Sequence, residues 1–158
     1  MRNRLMLVLG VLALMMSGSS AAFADYFEGR QAYLRKNYEE AVKNWRPLAV
    51  EGDRKSQSML GYLYKKGYGV PQDINEAIKW FRRAAEQGDG FGQKELDMAY
   101  YAGRGARQDY VRAAMWFNLS KLRGLGLANR DIVESKMDLR SVQRARRMAK
   151  EWTAKHKK

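Results

Sequence analysis

The sequence states one pattern twice. YKKGYGVPQDINEAIKWF, from Tyr64 to Phe81, returns as YYAGRGARQDYVRAAMWF, from Tyr100 to Phe117. At a shift of 36 residues the same residue recurs at Gln57/Gln93, Leu60/Leu96, Tyr64/Tyr100, Gly67/Gly103, Gly69/Gly105, Gln72/Gln108, Asp73/Asp109, Ala77/Ala113, Trp80/Trp116, Phe81/Phe117 and Gly88/Gly124. A period of this length marks an array of stacked helical hairpins: one copy cannot bury its apolar face alone, and neighbours supply the missing surface.

Each residue type in the unit has a structural reason. Leu60 and Tyr64 are four apart and share one face of a first helix, which Gly67 ends by adopting the left-handed conformation. Gly69 with Val70 and Pro71 turns the chain. Asp73 is placed to cap a second helix, and Glu76 three residues later completes a capping-box pattern. Asp109 repeats the cap, but Arg112 stands where Glu76 was, which predicts a weaker cap. On the second helix Ala77, Trp80, Phe81 and Ala84 recur at spacings of three and four, so small residues admit a facing helix and aromatics fill the space between hairpins.

A degenerate third copy lies upstream, where Ala41, Trp45, Ala49 and Gly52 align with Ala77, Phe81, Ala85 and Gly88 at the same shift. Its helices are predicted over Asp25 to Arg35 and Tyr38 to Val50, with Pro47 kinking the second or marking its first turn. Its Gly-x-Gly loop is gone. After Gly124 two further helices are predicted, the last capped by Asp138 with Leu139, Val142, Met148, Ala149 and Trp152 on its apolar side. The tail from Thr153 has no periodicity and is expected to fray.

These residues resemble the Sel-one-like repeat (SLR) family, relatives of tetratricopeptide repeats. Leu60, Gly61, Tyr64, Gly67, Gly69, Val70, Asp73, Ala77, Trp80, Phe81, Ala84, Ala85 and Gly88 fit its pattern, whereas Asp97, Ala106, Ser120 and Lys121 depart from it in the next unit. The resemblance implies an all-α fold, a right-handed α-solenoid of antiparallel helix hairpins with a helical C-terminal cap. The organisation expected is a degenerate repeat over 25–56, repeats over 57–92 and 93–128, a cap over 129–152 and a basic tail over 153–158. The family's implied role is protein interaction or scaffolding, often in bacterial envelope processes.

The N-terminus adds a destination. Arg2 and Arg4 precede an apolar run from Leu5 to Met16 and the triplet Ala22-Phe23-Ala24, the pattern of a secretory signal peptide cleaved after Ala24. The run is shorter than the roughly 20 residues that a spanning helix needs. A periplasmic or secreted product of 134 residues is expected, with no transmembrane segment. It would carry 28 basic residues against 17 acidic, a formal net charge of +11. With no cysteine in the chain, neither disulfides nor thiolate metal sites are available.

Little in the sequence points to chemistry. The one histidine, His156, lies in a lysine-rich tail, so no His-activated nucleophile and no His/Cys metal cluster is expected. Glu39, Glu40, Glu95 and Asp97 remain as carboxylates for acid/base work, but Glu39 and Glu40 read more simply as helix-starting charges. The Gly67-Tyr68-Gly69 and Gly103-Arg104-Gly105 loops lack the preceding strand of a phosphate cradle. No catalytic residue, metal or cofactor is expected.

Two functional readings follow. In the first, a concave groove takes an envelope protein or peptide, lined by first-helix residues off the Leu60/Tyr64 and Leu96/Tyr100 face: Tyr62, Lys65, Lys94, Met98 and Tyr101. In the second, an anionic envelope polymer or lipid headgroup meets the basic stripe Arg140, Arg144 and Arg147. The segment from Arg130 to Lys158 holds ten basic and four acidic residues. Nucleic acid would attract such a surface, but the export signal argues against it as a physiological partner.

Overall fold

The structure, a computed structural model, describes residues 26–120 and 126–156, with the side chains of 126–129 excepted. The predicted signal peptide, Lys121, Gly124 and the last two lysines lie outside the described residues. Eight helices and no strand occur among them: α1 (26–34), α2 (Tyr38–Glu51), α3 (Arg54–Lys66), α4 (Ile74–Glu86), α5 (Gly90–Ala102), α6 (Tyr110–Leu119), α7 (Gly126–Glu134) and α8 (Leu139–Lys155). From α2 to α6 each helix packs on the next, and α6 then meets both α7 and α8. The all-α array of hairpins is therefore closed at its C-terminal end by a helix pair on α6.

Helix starts follow the acidic residues. Asp53, Asp73, Asp89, Asp109 and Asp138 each accept the amide three residues on, at 2.7, 2.9, 2.8, 2.9 and 2.7 Å. The capping box expected at Asp73 is half-formed. The Asp73 amide donates to the Tyr64 carbonyl, and the Glu76 carboxylate turns outward to Lys79 at 2.9 Å. The Asp109 amide does the same toward Tyr100 at 2.9 Å, so the two caps accept alike, with Arg112 adding an ion pair to the Asp109 carboxylate at 3.4 Å.

The second glycine of each loop is required by close approach. Gly69 has φ of 68° and lies against the backbone of Tyr38, where a Cβ would come within 2.4 Å. Gly105, at φ 71°, lies instead on the Ile74 and Ile78 side chains, where a Cβ would come within 2.7 and 2.9 Å. The first glycines, Gly67 and Gly103, are the left-handed C-caps of α3 and α5.

The core divides into two adjoining clusters, one around Trp45, Leu60, Leu63 and Trp80, the other around Phe81, Leu96, Ala113, Phe117 and Val133. Trp45 is fully buried and donates through Nε1 to the Tyr26 carbonyl at 3.1 Å. Trp80, Trp116 and Tyr100 are buried, as their repeat positions predict, and Tyr64 is half-buried against both clusters. Arg46 and Arg82, 36 residues apart, reach the Tyr64 and Tyr100 hydroxyls at 2.9 and 3.3 Å.

Pro47 sits inside α2, as expected, but well past its first turn; it is exposed, and the helix continues through it to Glu51. Two expectations change. Leu139 opens α8 and faces solvent at 72% exposure, while Val142, Ala145 and Ala149 form the buried stripe. The tail begins helical: α8 runs to Lys155, and His156 stacks on Trp152 with ring centroids 4.0 Å apart.

The upstream copy has its own register. Only residues 35–37 separate α1 from α2, whereas 67–73 separate α3 from α4, so first-helix positions correspond at an offset of 32 there. Gly29 then matches Gly61. A Cβ on Gly29 would strike the Trp45 ring at 2.5 Å, and one on Gly61 the Phe81 ring at 2.9 Å.

Candidate functional site: a cleft between the two full hairpins

The repeats leave an open cleft of about 610 Å³ where α3, α4 and α5 meet. Its floor is apolar, from Ile74, Ala77, Ile78 and Phe81 on α4 and from Ala99 and Ala102 on α5. Its rim holds Lys65 and Lys66 from the end of α3, Glu95 and Met98 from α5, and Arg104 from the glycine loop. The loop comes close because Gly105 lets it lie on Ile74.

Lys65 and Glu95 join the first helices of successive hairpins across this cleft at 2.5 Å. The Glu95 side chain is 9% exposed and that of Lys65 34%, so removing the lysine leaves a buried carboxylate unpaired. Met98 stands 45% exposed beside them, an apolar side chain at the mouth.

Of the five residues that the sequence nominates for a groove, Lys65 and Met98 line the cleft and the other three do not. Tyr62 is half-buried in an aromatic group with Tyr33, Tyr68 and Phe91, at centroid distances of 6.3, 6.4 and 6.1 Å. Tyr101 lies against Tyr110 at 5.8 Å, and Lys94 is half-buried one turn before Met98. A side chain off the core stripe of its own helix still meets the neighbouring hairpin, and large rings settle into that junction. Ile74, Ile78 and Arg104 were missed; the repeated Gly-x-Gly, which presses its loop onto the start of the second helix, is the signal that marks them.

A buried acid lies on the same helix. Asp97 is 1% exposed, and both its carboxylate oxygens lack a hydrogen-bond partner among the described residues. Burial pushes its pKa up to about 8, and the nearby Glu95 charge adds to the effect. It occupies the position that Gly61 holds in the preceding hairpin.

The repeated glutamines, conspicuous in sequence, turn out to serve the scaffold. Gln57 and Gln93 donate to the Ala49 and Ala85 carbonyls at 3.0 and 3.3 Å, satisfying the C-terminal turns of the preceding helices. Gln72 and Gln108 do the same for Lys65 and Tyr101 at 2.8 and 2.9 Å.

A second cleft, about 740 Å³, lies among α6, α7 and α8 and is lined in part by Arg130, Arg146 and Lys150. Two of these cations are already engaged, Arg130 with Asp131 at 3.3 Å and Arg146 with Glu134 at 2.7 Å. Arg140, Arg144 and Arg147 are exposed on α8 and lie outside the residues lining that cleft, with Arg147 4.0 Å from Glu151. Glu39 and Glu40 occupy the first turn of α2. No helix among the described residues is long and apolar enough to cross a membrane.

A family model for the Sel1 repeat matches residues 20–52, 54–89 and 95–125. No curated protein matches the chain. Among solved structures it is similar to a protective antigen present in uropathogenic Escherichia coli strains that displays an SLR fold, with 32% identity and a TM-score of 0.79 over 85% of this chain. A Sel1 repeat protein from Oxalobacter formigenes is similar at 25% identity and a TM-score of 0.65 over 80% of this chain. The chain spans 30% of the first of these proteins and 55% of the second. With three repeat matches in its sequence and an SLR-type array of hairpins in its structure, the chain belongs to the Sel1 repeat family.

Proposed function

We propose that this chain is a non-enzymatic, exported interaction module that binds a protein or peptide on the first-helix, concave side of the array. Sel1 repeat proteins generally act as protein-interaction modules. The observation that carries the reading is the cleft between the two full hairpins, an apolar floor with Met98 and the cationic side chains of Lys65, Lys66 and Arg104 at its rim. Export rests on the N-terminal pattern of arginines, apolar run and small residues. In this proposal residues 1–24 are the signal peptide and the array from residue 25 onward is the mature protein.

The test is affinity capture from envelope extract on the immobilised chain and on two variants, washed at low and high salt. Met98→Glu places a charge at an exposed position of the cleft; the triple change of Arg140, Arg144 and Arg147 to Ser removes the basic stripe. A defined protein retained at high salt, lost with Met98→Glu and kept by the stripe variant, supports the cleft. Capture of polyanionic material alone, released by salt and abolished in the stripe variant, overturns it in favour of an anionic polymer or lipid headgroup on α8.

A further inference from the structure

The array contains this cleft twice and fills it once. Four residues that line it, Lys65, Ile74, Met98 and Arg104, correspond one hairpin upstream to Tyr33, Tyr38, Tyr62 and Tyr68. The floor is conserved in kind between the copies, with Val42 for Ile78 and Trp45 for Phe81, so the difference lies in what stands above it. Upstream, the Tyr38 and Tyr68 rings stack at 4.3 Å with planes 12° apart, and Tyr62 meets Tyr68 edge-on at 6.4 Å. Tyr33 closes the group, 5.6 Å from Tyr38 and 6.3 Å from Tyr62. Downstream all four rings are gone and about 610 Å³ is open.

We infer that the downstream cleft takes an aromatic side chain from a partner peptide whose flanking residues are acidic. This rests on the interaction reading above and names the ligand chemistry of the same cleft. The upstream copy shows what the shape accepts: rings lying on an aliphatic and aromatic floor. In the open copy Arg104 stands where Tyr68 stacks on Tyr38, so a guanidinium is available to cover an incoming ring face. Met98 offers a thioether at its edge. The charge selects the flanks, because Lys65, Lys66 and Arg104 face one acid, Glu95, which is bound to Lys65.

The experiment is a methyl NMR titration of the full chain with three capped peptides: Glu-Asp-Tyr-Asp-Glu, the same with Ala for Tyr, and Gln-Asn-Tyr-Asn-Gln. The tyrosine peptide is expected to shift the methyl signals of Ile74, Ile78 and Met98. Replacing its Tyr by Ala should weaken binding at least about tenfold, and neutralising its flanks several-fold with loss of the salt dependence. Ile74→Tyr, Met98→Tyr and Arg104→Tyr together restore three of the four upstream rings and should abolish binding with melting unchanged. Met98→Glu, at an exposed position, gives the same loss without depending on that repacking. Equal binding of the Tyr and Ala peptides, or undiminished binding by Met98→Glu, overturns the inference. If Met98→Glu still loses its captured protein partner in those cases, the cleft remains an interaction site and only its aromatic selectivity is wrong.

Discussion

The two full hairpins agree at eleven aligned positions, and one of their differences, Gly61 against Asp97, changes what the second helix meets on the first. In the first, Gly61 lets the Phe81 ring lie directly on the α3 backbone, and Phe81 is fully buried. In the second, the same position is Asp97, and Phe117 is 8% exposed. The first hairpin is thus a closed ring-on-glycine contact, also made by Gly29 and Trp45 upstream. The second encloses a carboxylate with no partner among the described residues. A repeat protein can keep its periodic scaffold while one copy takes on a local cost, because each hairpin is stabilised chiefly by its neighbours.

Exchanging the residues breaks the comparison most sharply. Gly61→Asp drives a Cβ to 2.9 Å from the Phe81 ring and 3.1 Å from the Ala77 carbonyl and buries a charge. It should cost about 4 kcal/mol or more in urea unfolding. A loss below about 1 kcal/mol would show that the ring moves aside freely and that the glycine is not required.

Trp80→Ala tests the aromatic half of the first hairpin. The ring is 5% exposed and Arg83 covers it at 4.5 Å, so truncation should cost about 3 to 5 kcal/mol. An unchanged melting temperature with lost partner binding would move Trp80 from the core to the binding surface.

Asp97 makes the second hairpin sensitive to pH. Its carboxyl titrates near 3.8 when exposed and near 8 when folded, so between these values the folded chain holds a proton that the unfolded chain has released. Stability should therefore fall as pH rises from about 4 to about 8 and then level off. Asp97→Asn removes this component of the profile and should stabilise the chain at pH 9 by on the order of 2 to 4 kcal/mol. A wild-type and variant pair with parallel pH profiles would show that the carboxylate finds a charged partner after all.

The smallest effect concerns the caps. Because Glu76 does not complete the box, Asp73→Ala and Asp109→Ala should each cost about 1 kcal/mol, equal within about 0.5 kcal/mol. A clearly larger loss at Asp73 would restore the reciprocal cap that the sequence pattern suggests.

Much of the scaffold was legible because its determinants are local. A 36-residue identity pattern, aspartates before helices and glycines after them mark where each hairpin begins and ends, and the third copy was recognisable from Ala41, Trp45, Ala49 and Gly52 alone. Leu139 and the helical start of the tail were misread for a complementary reason: apolarity does not guarantee a partner, and the end of α8 gains partners where Trp152 meets Trp116 edge-on and stacks with His156. The site was legible only in part, since Lys65 and Met98 were found by helical phase whereas Ile74, Ile78 and Arg104 belong to the next helix and loop.

The sequence by itself determined the repeat, the helix ends and the membership of the array, since these depend on backbone conformation and on apolar residues recurring at helical spacing. Only the tertiary structure decided which of two homologous clefts stays open. Tyrosine, isoleucine, methionine and arginine are all acceptable on a helix or loop, and whether they fill a space or border one depends on side chains brought together from three separate elements. The fate of Asp97 was decided the same way: a carboxylate is buried or solvated according to what the adjoining helices cover.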